Sequence, residues 1–188
     1  MVPRASVANV ANLLTGIRFL LVPVFVVALF VGDGHQTFWR TTAFVVFAVA
    51  VITDHFDGAL ARAYGMVTEF GKLADPIADK LLIGSALIGL SMLGDLPWWI
   101  TGVIMVREIG VTVLRLAVLR HGVIPASRGG KLKTMLQIAA IAWYLWPVPH
   151  PADVVGPWLM GAALVVTMVT GADYLLQALR LRRDARGQ

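Results

Sequence analysis

Long apolar stretches separated by short polar turns run through this chain. Six apolar stretches are present, at residues 17–31, 39–64, 72–93, 98–119, 132–146 and 158–181. Turn-forming residues separate them, at positions 32–34, 65, 94–97, 129–130 and 147–157. Because a helix of about 20 mostly apolar residues crosses a bilayer, the pattern predicts six transmembrane helices.

The residues before the first stretch also carry a helical pattern. Val7, Val10, Ala11 and Leu14 recur at helical spacing. They predict a short interfacial helix ahead of the first span, and the alternative is that they begin the span itself. The first apolar run lacks a small-residue cleavage site after it, so we expect the first span to stay in the protein.

Composition explains what the apolar stretches face. The chain has 188 residues, of which 58% are hydrophobic and 14% charged, and its mean hydropathy is +0.77. Soluble domains are about half apolar and about a quarter charged. The surplus apolar side chains must therefore face lipid, which predicts an all-α integral membrane protein with one domain over residues 1–188. The absence of cysteine excludes disulfide scaffolds and cysteine-based zinc or redox sites.

Basic residues indicate the orientation of the spans. Most of them lie near both termini and in the second and fourth loops, whereas the first, third and fifth loops contain only Arg40. Because Lys and Arg mark cytoplasmic loops, both termini should be cytoplasmic in a multi-pass protein of the plasma membrane. Five tryptophans lie near the opposite ends of spans, where an outer aromatic belt is expected: Trp39, Trp98, Trp99, Trp146 and Trp158. The formal charge of +5 favours anionic membrane lipids and phosphorylated substrates over nucleic acid as partners.

Two pairs of carboxylates interrupt the apolar pattern. Asp54 and Asp57 are three residues apart near the end of the second stretch, and Asp75 and Asp79 are four apart near the start of the third. On helices each pair shares one face. A short connection makes the two helices antiparallel neighbours, so the four carboxylates can converge in an active site that faces the cytoplasm.

Four clustered carboxylates need a counter-charge. A charge in the hydrocarbon costs roughly 2.5–3.5 kcal/mol, and like charges repel. The nearby Arg62, Lys72 and Lys80 are too few, and all-oxygen ligands favour Mg²⁺, Mn²⁺ or Ca²⁺. Two such ions would balance the carboxylates and attract a pyrophosphate. Gly58 and Ala61 share the carboxylate face, where small residues indicate either helix packing or, between metal ligands, room for the ligand.

The carboxylate segment resembles the signature of the CDP-alcohol phosphatidyltransferase family, D-x-x-D-G-x-x-A-R-x(8)-G-x-x-x-D-x-x-x-D. Every defined position is present, at Asp54, Asp57, Gly58, Ala61, Arg62, Gly71, Asp75 and Asp79. The family transfers a phosphatidyl group from a CDP-linked lipid to an alcohol and releases CMP. The resemblance therefore implies this transfer here, in a homodimer. Because Ser127 has no nearby base in the sequence, we expect direct attack without a covalent enzyme intermediate.

The same resemblance assigns roles to individual residues. Asp54, Asp57 and Asp75 resemble the metal ligands of the family. Asp79 resembles the general base and can also touch the second of two Mg²⁺ (or Mn²⁺) ions. Contacts to CDP-diacylglycerol fall at Asn12, Thr15, Gly58, Ala61, Arg62 and Thr68.

A second group of charges indicates the acceptor alcohol. Arg107 and Arg115 are eight residues apart and share a helix face, and Lys131 and Lys133 lie in the loop that follows. Because guanidinium suits phosphate, these cations predict an acceptor that carries phosphate. The alternative is that Glu108 neutralises Arg107 as a structural pair. Two further motifs are N-x-x-T-x-x-R at residues 12–18 and G-K-x-K-T-x-x-Q at 130–137. Together with Arg107 and Arg115, these motifs resemble the branch of the family that uses sn-glycerol 3-phosphate.

Two other functions remain open on the sequence. One keeps the chemistry but uses inositol phosphate or phosphatidylglycerol as the acceptor. The other is a small cation transporter, since intramembrane carboxylates are common in transporters. Against transport, the sequence shows no paired broken helices and no inverted repeat.

Overall fold

Six α-helices make up the part of the chain that the structure, a computed structural model, describes. The backbone is described for residues 4–63, 69–118, 128–147 and 154–184, and side chains for 16–54, 77–114, 129–147 and 154–179. The helices are α1 (Arg4–Phe30), α2 (Thr37–Ala63), α3 (Glu69–Met92), α4 (Trp98–Val118), α5 (Arg128–Leu145) and α6 (Val155–Asp184). No strand occurs among these residues. The all-α prediction is confirmed.

Each predicted span contains one helix, but two boundaries differ from the prediction. The predicted turn at residues 129–130 is wrong, because α5 already begins at Arg128. Glycine lowers helix stability by about 1 kcal/mol without forbidding a helix, and the Gly130 carbonyl accepts a hydrogen bond from Thr134 Oγ1 at 3.2 Å. Pro157, predicted as loop, lies in the first turn of α6, where a missing N–H does no harm.

The N-terminal pattern lies on the same helix as the first apolar stretch. α1 is one helix from Arg4 to Phe30. No separate N-terminal helix is therefore present in the described part of the chain, and where the membrane span begins along α1 stays a prediction. Asn12 and Thr15 lie on α1, and their side chains are outside the described residues.

The chain divides into two compact units, Met1–Asp95 with Tyr144–Val148, and Leu96–Trp143 with Pro149–Gln188. In the first unit α1 packs on α2 and α3. The rings of Phe25 on α1 and Phe47 on α2 are 5.8 Å apart and buried. Gly89 on α3 lies against Leu29, and a Cβ at this position would collide with the Leu29 side chain. A glycine is thus what lets α1 and α3 approach so closely.

In the second unit α4 packs on α6. Tyr174 and Ala178 of α6 are buried and contact Val111 and Leu114 of α4. This contact places the second half of α4 beside the second half of α6, and both helices carry polar side chains nearby.

Apolar side chains on the outside of the helices identify a membrane protein. Three helical segments among the described residues are long and apolar enough to cross a bilayer: Gly16–Gly34, Thr37–Asp54 and Val155–Leu179. On α1, the exposed Leu20, Val24 and Val27 follow helical spacing. Such a stripe suits contact with lipid. The number of spans and their orientation stay predictions.

A buried arginine organises the turn between α1 and α2. The turn is a 3₁₀ segment, Val31–Gly34, in which Gly32 and Asp33 adopt positive φ angles of 66° and 57°. Arg40 on α2 donates to the Gly34 carbonyl at 2.9 Å and to the Tyr144 carbonyl at 2.8 Å. It also forms an ion pair with Asp95, beyond the end of α3. Arg40 therefore satisfies carbonyls at a helix end and has its own charge neutralised.

Candidate active site

The four motif aspartates lie on two helices of the first unit. α2 carries Asp54 and Asp57, and α3 carries Asp75 and Asp79. The backbone is helical through both pairs, so the spacing argument for a shared face holds for each helix. Side chains of several predicted site residues lie outside the described residues: Asp57, Gly58, Ala61, Arg62 and Asp75. Thr68 lies wholly outside them.

Asp54 forms an ion pair that the sequence analysis missed. Arg18 Nη1 on α1 lies 2.7 Å from Asp54 Oδ1. The Arg18 side chain is 1% exposed, whereas that of Asp54 is 42% exposed. A buried guanidinium thus offsets part of the negative charge and leaves the carboxylate accessible. The signal was an arginine just inside the first apolar stretch, which needs an anionic partner there.

The donor chemistry of the motif fits a hard divalent cation. Carboxylate oxygens are the ligands that Mg²⁺ and Mn²⁺ prefer, and Asp54 and Asp79 are both partly exposed. Among the described side chains no three acidic or histidine groups form a metal site. Because Asp57 and Asp75 are outside that set, the convergence of four carboxylates stays a prediction.

A second polar cluster joins the three helices of the second unit. Glu108 Oε1 on α4 lies 2.9 Å from Arg107 Nη1 and 2.5 Å from Lys133 Nζ on α5. Arg107 Nη2 also donates to Thr170 Oγ1 on α6 at 2.7 Å. The Arg107 and Lys133 side chains are only 10% and 9% exposed. Two predicted acceptor-binding cations thus share one carboxylate.

The other two predicted acceptor-binding cations are placed differently. Lys131, two residues before Lys133, is exposed. The side chain of Arg115 lies outside the described residues. The Arg107–Glu108 pair, offered as the structural alternative, does form. Because Glu108 is shared by two cations, the cluster still keeps one positive charge in excess.

Hydroxyls of α6 complete this cluster and were not predicted. Thr170 accepts from Arg107 and donates its own proton to the Val166 carbonyl at 2.8 Å. Gln137 Nε2 on α5 lies 3.4 Å from Thr167 Oγ1, and both side chains are buried. The available signal was the pair of threonines three residues apart in an apolar helix, which places two hydroxyls on one face.

Comparison with known proteins identifies the family. Residues 8–169 match the CDP-alcohol phosphatidyltransferase family, a range that includes the motif aspartates and, from the second cluster, Arg107, Glu108 and Lys133. The chain belongs to this family. The resemblance noted from the motif is confirmed, and this CDP-alcohol phosphatidyltransferase is an enzyme of the membrane. Members of the family use divalent metal.

Relatives of this CDP-alcohol phosphatidyltransferase match it over nearly their full length. A Mycobacterium tuberculosis protein named probable phosphatidylglycerophosphate synthase is 60% identical, covering 94% of this chain and 85% of the relative. Two proteins named CDP-diacylglycerol–glycerol-3-phosphate 3-phosphatidyltransferase are more distant. That of Rickettsia felis is 37% identical, covering 88% of this chain and 93% of its own. That of Shigella flexneri is 36% identical, covering 90% and 94%.

Proposed function

We propose that this protein transfers the phosphatidyl group of CDP-diacylglycerol to sn-glycerol 3-phosphate, giving phosphatidylglycerophosphate and CMP. One observation carries the proposal: relatives named for this reaction align with 88% and 90% of the chain at 37% and 36% identity. The complete eight-residue motif supports the same chemistry. Membership of a transferase family leaves the cation-transporter alternative without support.

The four aspartates act together in the proposed reaction. Asp54, Asp57, Asp75 and Asp79 would hold two divalent ions, Mg²⁺ or Mn²⁺, and such ions would supply charge neutralisation for the pyrophosphate and polarisation of the phosphoryl group. Asp79 accepts the proton of the acceptor hydroxyl, whose oxygen bonds to phosphorus as the bond to CMP breaks. Arg18 holds one oxygen of Asp54, which favours a single orientation of that carboxylate.

Excess EDTA should abolish turnover, and full turnover in EDTA would contradict the metal role.

The donor and acceptor use different side chains in this proposal. Asn12 and Thr15 of α1, with Gly58, Ala61, Arg62 and Thr68, contact CDP-diacylglycerol. The acceptor phosphate binds Arg107, Arg115, Lys131 and Lys133. Support comes from the excess positive charge of the second cluster, since a buried cation without full neutralisation attracts an anion.

The proposed setting is the plasma membrane. We place six spans there, with both termini and the active site on the cytoplasmic side, in a homodimer of single-domain chains. Exposed tryptophans at the ends of predicted spans support this arrangement: Trp98, Trp99, Trp146 and Trp158. We expect membrane lipids, and not nucleic acid, as its partners.

An acceptor screen tests the function directly. Detergent-purified protein is given CDP-diacylglycerol and one radiolabelled alcohol at a time, and labelled lipid and CMP are measured. We expect product with sn-glycerol 3-phosphate and little with inositol phosphate or phosphatidylglycerol. A preference for either of the latter would reassign the acceptor within the family. If none of the three alcohols supports CMP release, the acceptor is another alcohol.

A further inference from the structure

Arg107 is held on two sides by groups from different helices. Nη1 binds Glu108 on its own helix, and Nη2 binds Thr170 on α6. The third nitrogen, Nε, is buried and has no hydrogen-bond partner. Buried polar groups in proteins are nearly always hydrogen-bonded. If the Arg107–Glu108 ion pair served only stability, a hydrogen bond from Nε would make the protein more stable.

Gly171 explains why Nε stays covered. A Cβ built on Gly171 would lie 3.1 Å from both Cγ and Nε of Arg107, closer than ordinary van der Waals contact. The arginine stem therefore lies directly against the α6 backbone. Gly161 on the same helix has nothing within 4 Å of such a Cβ, so this requirement is local to position 171.

We infer that Thr170 and Gly171 form a seat that positions Arg107 for the phosphate of the acceptor. The inference rests on the proposed acceptor site. Arginine carries five N–H donors and lysine three. With Nε covered, two N–H groups of Arg107 and two of Lys133 make no bond to a described residue. The seat fixes the guanidinium plane, which lowers the ordering cost of binding a phosphate.

Gly171→Ala is the first test, with Gly161→Ala as its matched control. The added methyl displaces the Arg107 stem by a few tenths of an ångström. We expect the KM for sn-glycerol 3-phosphate to rise about fivefold, the factor that one hydrogen bond is typically worth. The KM for CDP-diacylglycerol and the thermal unfolding midpoint should stay as in the parent, and Gly161→Ala should leave all three unchanged.

Thr170→Val and Thr170→Ser form the second test. Valine keeps the shape but removes the acceptor oxygen, so the KM for sn-glycerol 3-phosphate should rise, whereas serine should restore it. A rise in both KM values, or a lower unfolding midpoint with unchanged KM, would mean that Thr170 and Gly171 serve packing alone.

Arg107→Ala separates failure of the seat from failure of the acceptor site. If Arg107→Ala raises the KM for sn-glycerol 3-phosphate while the Gly171 and Thr170 variants do not, the seat is wrong and the acceptor site stands. If Arg107→Ala leaves that KM unchanged, Arg107 does not bind the acceptor and the seat is wrong as well. Absence of product with sn-glycerol 3-phosphate in the parent protein would reject the proposed function.

Discussion

Charged residues inside apolar helices carry most of the information at the scale of single residues. Arg18 is almost fully buried and is paired with Asp54, and Arg107 and Lys133 are paired with Glu108. Each burial would be costly without its partner. Ion pairing therefore explains how these side chains are tolerated, and Asp54 is the member of its pair that remains partly exposed.

Asp79 has the most specific predicted role. Asp79→Asn removes the proton acceptor but keeps size and hydrogen bonding. We expect kcat to fall about 10²- to 10⁴-fold, the usual contribution of a general base, while CDP-diacylglycerol still binds. Binding is measured by equilibrium competition with labelled donor and turnover by CMP release. Near-normal kcat in Asp79→Asn would exclude the residue as the base.

Arg18→Met should weaken the first unit and the reaction together. Methionine keeps the apolar stem and removes the guanidinium, and with it the ion pair with Asp54. We expect a loss of about 1–3 kcal/mol in the free energy of unfolding, less than for a fully buried pair because Asp54 is partly exposed.

A double-mutant cycle with Asp54→Asn isolates this ion pair. Unfolding in detergent is followed for both single variants and the double variant, with Arg18→Lys as the charge-keeping control. Additive effects of Arg18→Met and Asp54→Asn would show that the pair contributes nothing measurable.

At the scale of helices, close approach of α1 and α3 depends on Gly89. A leucine at position 89 would have to displace the buried Leu29. Overpacking of this kind typically costs about 1–3 kcal/mol, so Gly89→Leu should lower the unfolding midpoint. Gly102→Leu is the control, because nothing lies within 4 Å of a Cβ there. Equal midpoints for the two variants would refute the packing role.

The helices could be predicted from sequence because each is a long apolar run, whereas their contacts could not. The start of α5 was missed since its glycines follow a turn rule that the helix overrides. Gly89 and Gly171 look alike in sequence, yet Gly89 leaves room for the Leu29 side chain and Gly171 for the Arg107 side chain. The motif spacing predicts all four aspartates as site residues, whereas Arg18 is 36 residues from Asp54 and no local pattern pairs the two.

Charge asymmetry is the feature that matters for the whole molecule. The predicted outer loops contain one basic residue, Arg40, which is buried and bonded to Gly34, Tyr144 and Asp95. Its presence on that side therefore has a structural cause. The basic residues near the termini and in the second and fourth loops follow the distribution expected for cytoplasmic segments.

The absence of cysteine makes this orientation directly testable, because any introduced cysteine is the only thiol. Gln36 is exposed beside the turn between α1 and α2, on the predicted outer side, and Gln188 ends the chain. Gln36→Cys should react with a membrane-impermeant maleimide in intact spheroplasts, whereas Gln188→Cys should react only after the membrane is opened. Each variant must also retain CMP release, which shows that it is folded. The predicted topology places the basic C-terminal segment in the cytoplasm, because Lys and Arg mark cytoplasmic segments. Labelling of Gln188→Cys in intact spheroplasts would therefore contradict it.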